Sequence, residues 1–149
     1  MLLLLDTPAG SVQKAGADLA DPVSQGGVLR LPNDADPLAL VTHGRLDALT
    51  RIELHFPKFT DGRAFSQAFL LRRRLNFAGD LRATGDVLVD QLVQMRRSGF
   101  SSALLRVDQD LQVARRELAR FDALGGFYQG DAIRSEPHFQ PSKTSGAWI

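Results

Sequence analysis

Polar and charged residues crowd into one stretch of this sequence, Phe56 to Phe100, at positions that read as starts of helices. Asp61-Gly62-Arg63 is followed at once by Ser66 and Gln67, and Gly79-Asp80-Leu81-Arg82-Ala83-Thr84-Gly85-Asp86 by Asp90 and Gln91. In an α/β scaffold such turn-to-helix junctions are where ligands are met, because the first backbone N–H groups of a helix are unpaired and carry a partial positive charge. Arg63, Ser66 and Gln67 could complete a cradle for a small anion there, supported by Asp61 and Gly62. The competing reading makes Asp61 the helix cap itself, satisfying those donors for ~1 kcal/mol. In the second stretch Gly79 and Gly85 permit positive φ or close approach, and Arg82 between them has a fork suited to an oxyanion. Its alternative role is an ion pair with Asp61, Asp86 or Asp90. Asp86 reads as the cap of the next helix, and Asp90 either as a carboxylate compensated by Arg72 or Arg82 or as a general acid or base.

Other chemistries are poorly supplied. Cysteine is absent, so the chain offers no disulfide, thiolate metal site or iron–sulfur ligation. His43, His55 and His138 are scattered and lack a paired-ligand spacing, so no metal is expected. No Walker lysine motif, GxSxG elbow, GxGxxG or HExxH occurs. A redox cofactor, if the chain uses one, is therefore unidentified from these residues. The net charge of +1 gives no reason to expect nucleic acid or a membrane surface as partner. Charge is uneven along the chain, however: from Arg63 to Arg120 eleven arginines face six acids, which suits a small anion or an acidic partner surface, or else arginines spread over solvated helix faces.

The elements that must position these residues follow from periodicity. Met1 to Leu5 is too short for a secretory or membrane segment and reads as a short buried strand in a cytoplasmic protein. Thr7 to Gln25 reads as turns, Val28 to Leu31 as a strand, and Asp36-Pro37 as a helix start. Ile52 to Phe56 alternates apolar and polar residues up to Pro57, the strongest strand signal present. Ala64 to Leu75 then reads as a helix, with Phe65, Ala68, Phe69 and Arg72 on successive turns; Asn76 to Gly85 as a loop; and Asp86 to Ser98 as a helix burying Leu88, Leu92 and Met95, closed by Gly99. Ser102 to Leu105 reads as a strand, and a last helix, capped by Asp108 or Asp110, carries Leu111, Ala114, Leu118 and Phe121 inward. Phe127 to Gln129 reads as an aromatic closure of the core.

The expected fold is a single α/β domain with a small, mainly parallel sheet of three to five strands flanked by helices. Residues 1–27 form a variable N-terminal strand and loop, 28–130 the domain, and 131–149 a flexible tail.

The ordered series Phe56-Pro57-Lys58-Phe59, Asp61-Gly62-Arg63, Ser66-Gln67-Ala68, Leu71-Arg72, Gly79-Asp80-Leu81-Arg82-Ala83, Gly85-Asp86-Val87, Asp90-Gln91 and Arg97-Ser98-Gly99-Phe100, with Tyr128-Gln129 further on, resembles the bacterial domain of unknown function 934. The likeness spans roughly Val28 to Gln129. It implies a place in assimilatory sulfite reduction, since members of that family carry the description of oxidoreductase associated with that process. Three expectations follow. The first is an accessory protein that binds a small anion or a partner sulfite reductase through the face bearing Arg63, Arg72 and Arg82. The second is an oxidoreductase using a bound cofactor, and the third a non-catalytic structural domain that forms a homo-oligomer. Lack of cysteine and of a nucleotide fingerprint favours the first.

Overall fold

The computed structural model describes residues 2–4, 12–13, 27–39, 46–123 and 131–132, with backbone only for the first two segments. Four strands form a parallel core: β3 (Gly27–Leu31), β4 (Leu49–Phe56), β5 (Asp80–Gly85) and β6 (Ser102–Leu104). Two short strands, β1 (Leu2–Leu4) and β2 (Val12–Gln13), extend this sheet beyond β6 in antiparallel sense, giving the order β2-β1-β6-β5-β4-β3. The four-strand parallel core is the mainly parallel α/β sheet expected; among the described residues two short antiparallel strands bring the sheet to six, because the N-terminal leucines pair with the outer edge of β6 and β2 forms within the segment read as turns. The expected burial of the leucine strand, the aromatic closure at Phe127 to Gln129, and His43 and His138 lie outside the described residues.

Helix α1 (Arg63–Arg73) connects β4 to β5, α2 (Leu92–Ser98) connects β5 to β6, and α3 (Leu111–Ala123) follows β6. Consecutive parallel strands are neighbours throughout β3 to β6, so right-handed crossovers bring α1 and α2 to one face. Contacts of α1 with α2 and of α2 with α3 complete that layer. Strand alternation does the rest: Ile52, Leu54 and Phe56 of β4 and Leu81 and Ala83 of β5 point into the helices and are buried, against Ala64, Ala68 and Leu71 of α1. Phe56 lies edge-on to Phe65 with ring centroids 5.1 Å apart and 5.8 Å from Phe100, the centre of this core.

Several local expectations are corrected. The stretch Gly79 to Gly85 is largely strand, since Leu81 and Ala83 alternate with Arg82 and Thr84 and register with Ile52 to His55 of β4. Asp86 does not cap a helix; residues Val89–Gln91 form a 3-10 turn and α2 starts only at Leu92. Phe69 of α1 faces outward, and the inward stripe is Ala64, Ala68 and Leu71. Asp110 rather than Asp108 caps α3, its Oδ1 accepting from Gln112 N at 2.7 Å. Asp131 and Ala132, the first residues of the expected tail, are buried, with Asp131 receiving Arg97 Nε at 3.0 Å and Ala132 N donating to Arg97 O at 2.8 Å.

Two glycines hold conformations the fold requires. Gly85 ends β5 at φ +91°, with a Cβ there falling 2.3 Å from Phe56 O. Gly99 closes α2 in the left-handed region at φ +102°, and the stem of Arg72 fills the space a Cβ would take, 2.5 Å from Cγ.

Candidate functional site

The three arginines expected to share one face are dispersed. Arg63 begins α1 at the carboxyl end of β4 and is clamped by Asp61, which receives its Nε at 3.0 Å and its Nη2 at 2.7 Å. Arg72, near the other end of that helix, lies at the amino ends of β5 and β6, where Nε donates to Gly99 O and Nη1 to Gly79 O, both at 2.8 Å, and Nη1 also donates to Phe77 O. Arg82 sits in mid-strand on the sheet face away from the helices, since it alternates with Leu81 and Ala83. Its partner is Asp80, at 3.0 Å, rather than Asp61, Asp86 or Asp90, because residues two apart on a strand share a face. Each guanidinium is thus committed to a different local structure.

Asp80 is the hub of that sheet face. Its carboxylate accepts from Ser101 Oγ at 2.6 Å, Ser102 Oγ at 2.7 Å, Arg51 Nε at 3.0 Å and Arg82 Nη2 at 3.0 Å. Burial by itself raises this carboxyl's pKa, but the two serine hydroxyls and then the charges of Arg82 and Arg51 outweigh it and hold it below the usual range. A lowered native pKa adds stability above the unfolded-state value and loses it as pH falls through the native one. Urea midpoints should therefore be flat from neutrality to about pH 5 and drop below pH 4. Asp80→Asn should be less stable at neutral pH, and the gap to the wild type should narrow as the pH falls below 4.

At the carboxyl ends of the strands the geometry converges. Asp61 also accepts from Asn33 Nδ2 at 2.6 Å and from Arg63 N at 3.2 Å, and Arg63's hydrogen bonds lower its pKa to about 2. Gly62, not Asp61, stands at the cap position of α1 and offers no side-chain cap; of the helix N–H groups Asp61 accepts only the first, that of Arg63, and it sets a negative charge where an anion would bind. Ser66 is exposed, while Gln67 is buried and ties α1 to the turn after β3 by donating to Pro32 O and Ala35 O, both at 2.8 Å. Gly62 is the residue preceding the helix, and Gly79 leads into β5.

Asp86 joins two loops. Its Oδ2 accepts from Phe59 N at 2.8 Å in the loop after β4, and its Oδ1 accepts from Arg106 Nη1 at 2.7 Å in the loop after β6. Those hydrogen bonds, Arg106's first, pull the carboxyl below its ordinary pKa. Arg106 also pairs with Asp108 and holds it at a pKa of about 2. Gln91 Nε2 reaches Phe59 O at 2.7 Å, and Gln109 Oε1 receives Val89 N at 2.9 Å, so the three loops following β4, β5 and β6 are laced together. On this scaffold Phe59 is half exposed and Val107 fully so. Asp90 is exposed on the 3-10 turn and makes no ion pair among the described residues.

Sequence reading missed Phe59, Arg106, Val107 and Gln109. Phe59 was available as the second aromatic of Phe56-Pro57-Lys58-Phe59, placed past a proline that ends the strand. Arg106 and Gln109 carried no local signal for their role in joining the loops, as the partners they reach across, Asp86 and Val89, lie 20 residues earlier. Among the described residues no group of three or more His, Asp or Glu side chains is spaced to hold a metal, and no helix is long and apolar enough to cross a membrane.

No curated protein and no solved structure matches this chain. Residues 28–139, which contain the parallel sheet from Val28 onward, helices α1 to α3 and the laced loops, match the family described as bacterial protein of unknown function (DUF934). The chain belongs to that family.

Proposed function

We propose that this protein is an accessory component of assimilatory sulfite reduction that docks a partner reductase through the carboxyl end of its parallel sheet. The observation that carries the docking is the Asp86 bridge, which fixes the two loops displaying Phe59 and Val107. Phe59 and Val107 offer exposed apolar area on loops at the same end of the sheet, and loops held by side-chain bridges lose little further entropy on binding. The setting in sulfite reduction comes from the resemblance of the motif series, and the reductase is its implied partner.

An anion site at Arg63, Arg72 and Arg82 is less well supported than docking, because each guanidinium already serves a carboxylate or carbonyl. The carboxyl end is also acidic. Asp34, Asp61, Asp86, Asp90, Asp108 and Asp110 lie on segments that follow the strands, against Lys58, Arg63 and Arg106. That sign suits a basic protein surface and opposes sulfite or a cofactor phosphate.

The test is a titration of the purified full chain into the cognate sulfite reductase, followed by calorimetry. Saturable binding that is lost in Phe59→Glu/Val107→Glu supports the proposal. Absence of binding by the wild type, or equal binding by the double variant, overturns it. Self-association through the same residues, seen by sedimentation, would instead favour a structural domain.

A further inference from the structure

Beside the laced loops runs an open groove of about 550 Å³ between the Val89–Gln91 turn with α2 on one side and α3 on the other. Its apolar floor is made by Leu88, Val89, Val93 and Val113. Asp90 stands on one wall and Glu117 on the other; neither forms an ion pair among the described residues, and no cationic side chain lines the groove. Gln109, which accepts Val89 N at 2.9 Å, fixes the spacing of the walls. Gln91 ties the same turn to the Phe59 loop, so groove and exposed loop tips form one continuous surface.

We infer that this groove seats an amphipathic protein segment that lays aliphatic side chains on the valines and places lysine or arginine heads beside Asp90 and Glu117. A trough open to solvent does not enclose a small molecule on most sides, as ligand pockets do, but it accommodates a helix or extended segment lying along it. Two carboxylates on opposite walls, with no cation between them, select a basic occupant over an acidic one. The inference rests on the docking reading only in assigning the occupant to a partner protein, and it adds that occupant's chemistry.

The test uses the full chain labelled with nitrogen-15 and two synthetic amphipathic peptides of equal length and identical leucine frame. One carries arginine and lysine between the leucines, the other glutamate. The basic peptide should shift the amides of Leu88, Val89, Val93 and Val113 saturably, and the acidic one should not. Asp90→Asn/Glu117→Gln, which alters only the walls, should raise the Kd of the basic peptide roughly fivefold, the size expected for two solvent-facing ion pairs. Raised salt should weaken the wild-type interaction toward the same level. No saturable shift, shifts centred elsewhere, equal binding of the acidic peptide, or an unchanged Kd in the double variant would each overturn the inference. Should the peptide fail while the reductase still binds through Phe59 and Val107, the groove assignment falls and the docking proposal stands. Should the peptide bind as described and the reductase not, the groove assignment stands alone.

Discussion

Arg72→Ala is expected to destabilise the protein by about 3 kcal/mol, whereas Arg63→Ala should leave the urea midpoint within error of the wild type. The contrast follows from where each side chain ends. Arg72 spans the segments that lead into two neighbouring strands, donating to Phe77 O, Gly79 O and Gly99 O. Bonds from a charged donor contribute roughly 1.5–3 kcal/mol each, and carbonyls left unmatched in a partly buried site add a penalty of their own. Its guanidinium also lies over the Phe77 ring, 5.9 Å from the centroid, and its stem occupies the space beneath Gly99. Arg72→Lys should restore little, because a point charge cannot reproduce a fork that reaches separate carbonyls. Among the described residues Arg63 has only its exposed pair with Asp61, which Asn33 also serves. Equal losses from both substitutions would mean that the arginines act together after all.

Under the proposed docking, Phe59→Glu/Val107→Glu is expected to weaken binding of the reductase by at least about a hundredfold while leaving the unfolding midpoint unchanged. Neither side chain belongs to the buried cluster around Phe56, and Val107 contributes nothing to the core. Anchors at the centre of an interface typically account for ~2 kcal/mol or more each, and a charge placed there adds the cost of desolvating it. Asp86→Ala provides a separate check. It keeps both apolar tips but releases Phe59 N and Arg106, so the association rate should fall and the entropic cost of binding should rise.

The parts of the fold that depend on short-range pattern were legible. The alternation Ile52 to Phe56 ending at Pro57 predicts the end of β4, and Asp110 and Gly99 mark the ends of α3 and α2 as capping chemistry requires. β5 was obscured by its glycines and charged residues, although Leu81 and Ala83 carry the period of two. Its polar side chains are tolerated because Asp80, Arg82, Ser101 and Ser102 satisfy one another on the sheet face away from the helices. Asp86 was misread because its partners Phe59 and Arg106 come from loops on either side, a juxtaposition no local window contains. Charge counted along the chain does not say where in space it falls. The excess of arginine between Arg63 and Arg120 is carried in large part by pairs within helices, such as Arg72-Arg73, Arg96-Arg97 and Arg115-Arg116, while aspartates collect where the strands end.

Amide hydrogen exchange of the full chain with and without the cognate sulfite reductase addresses the docking surface most directly. Slowed exchange confined to the loops around Phe59, Asp86 and Val107 and to the adjoining Val89–Gln91 turn is the predicted outcome. Protection centred on Arg30, Arg51 and Arg82 across the other sheet face, or no change at saturating reductase, would contradict it.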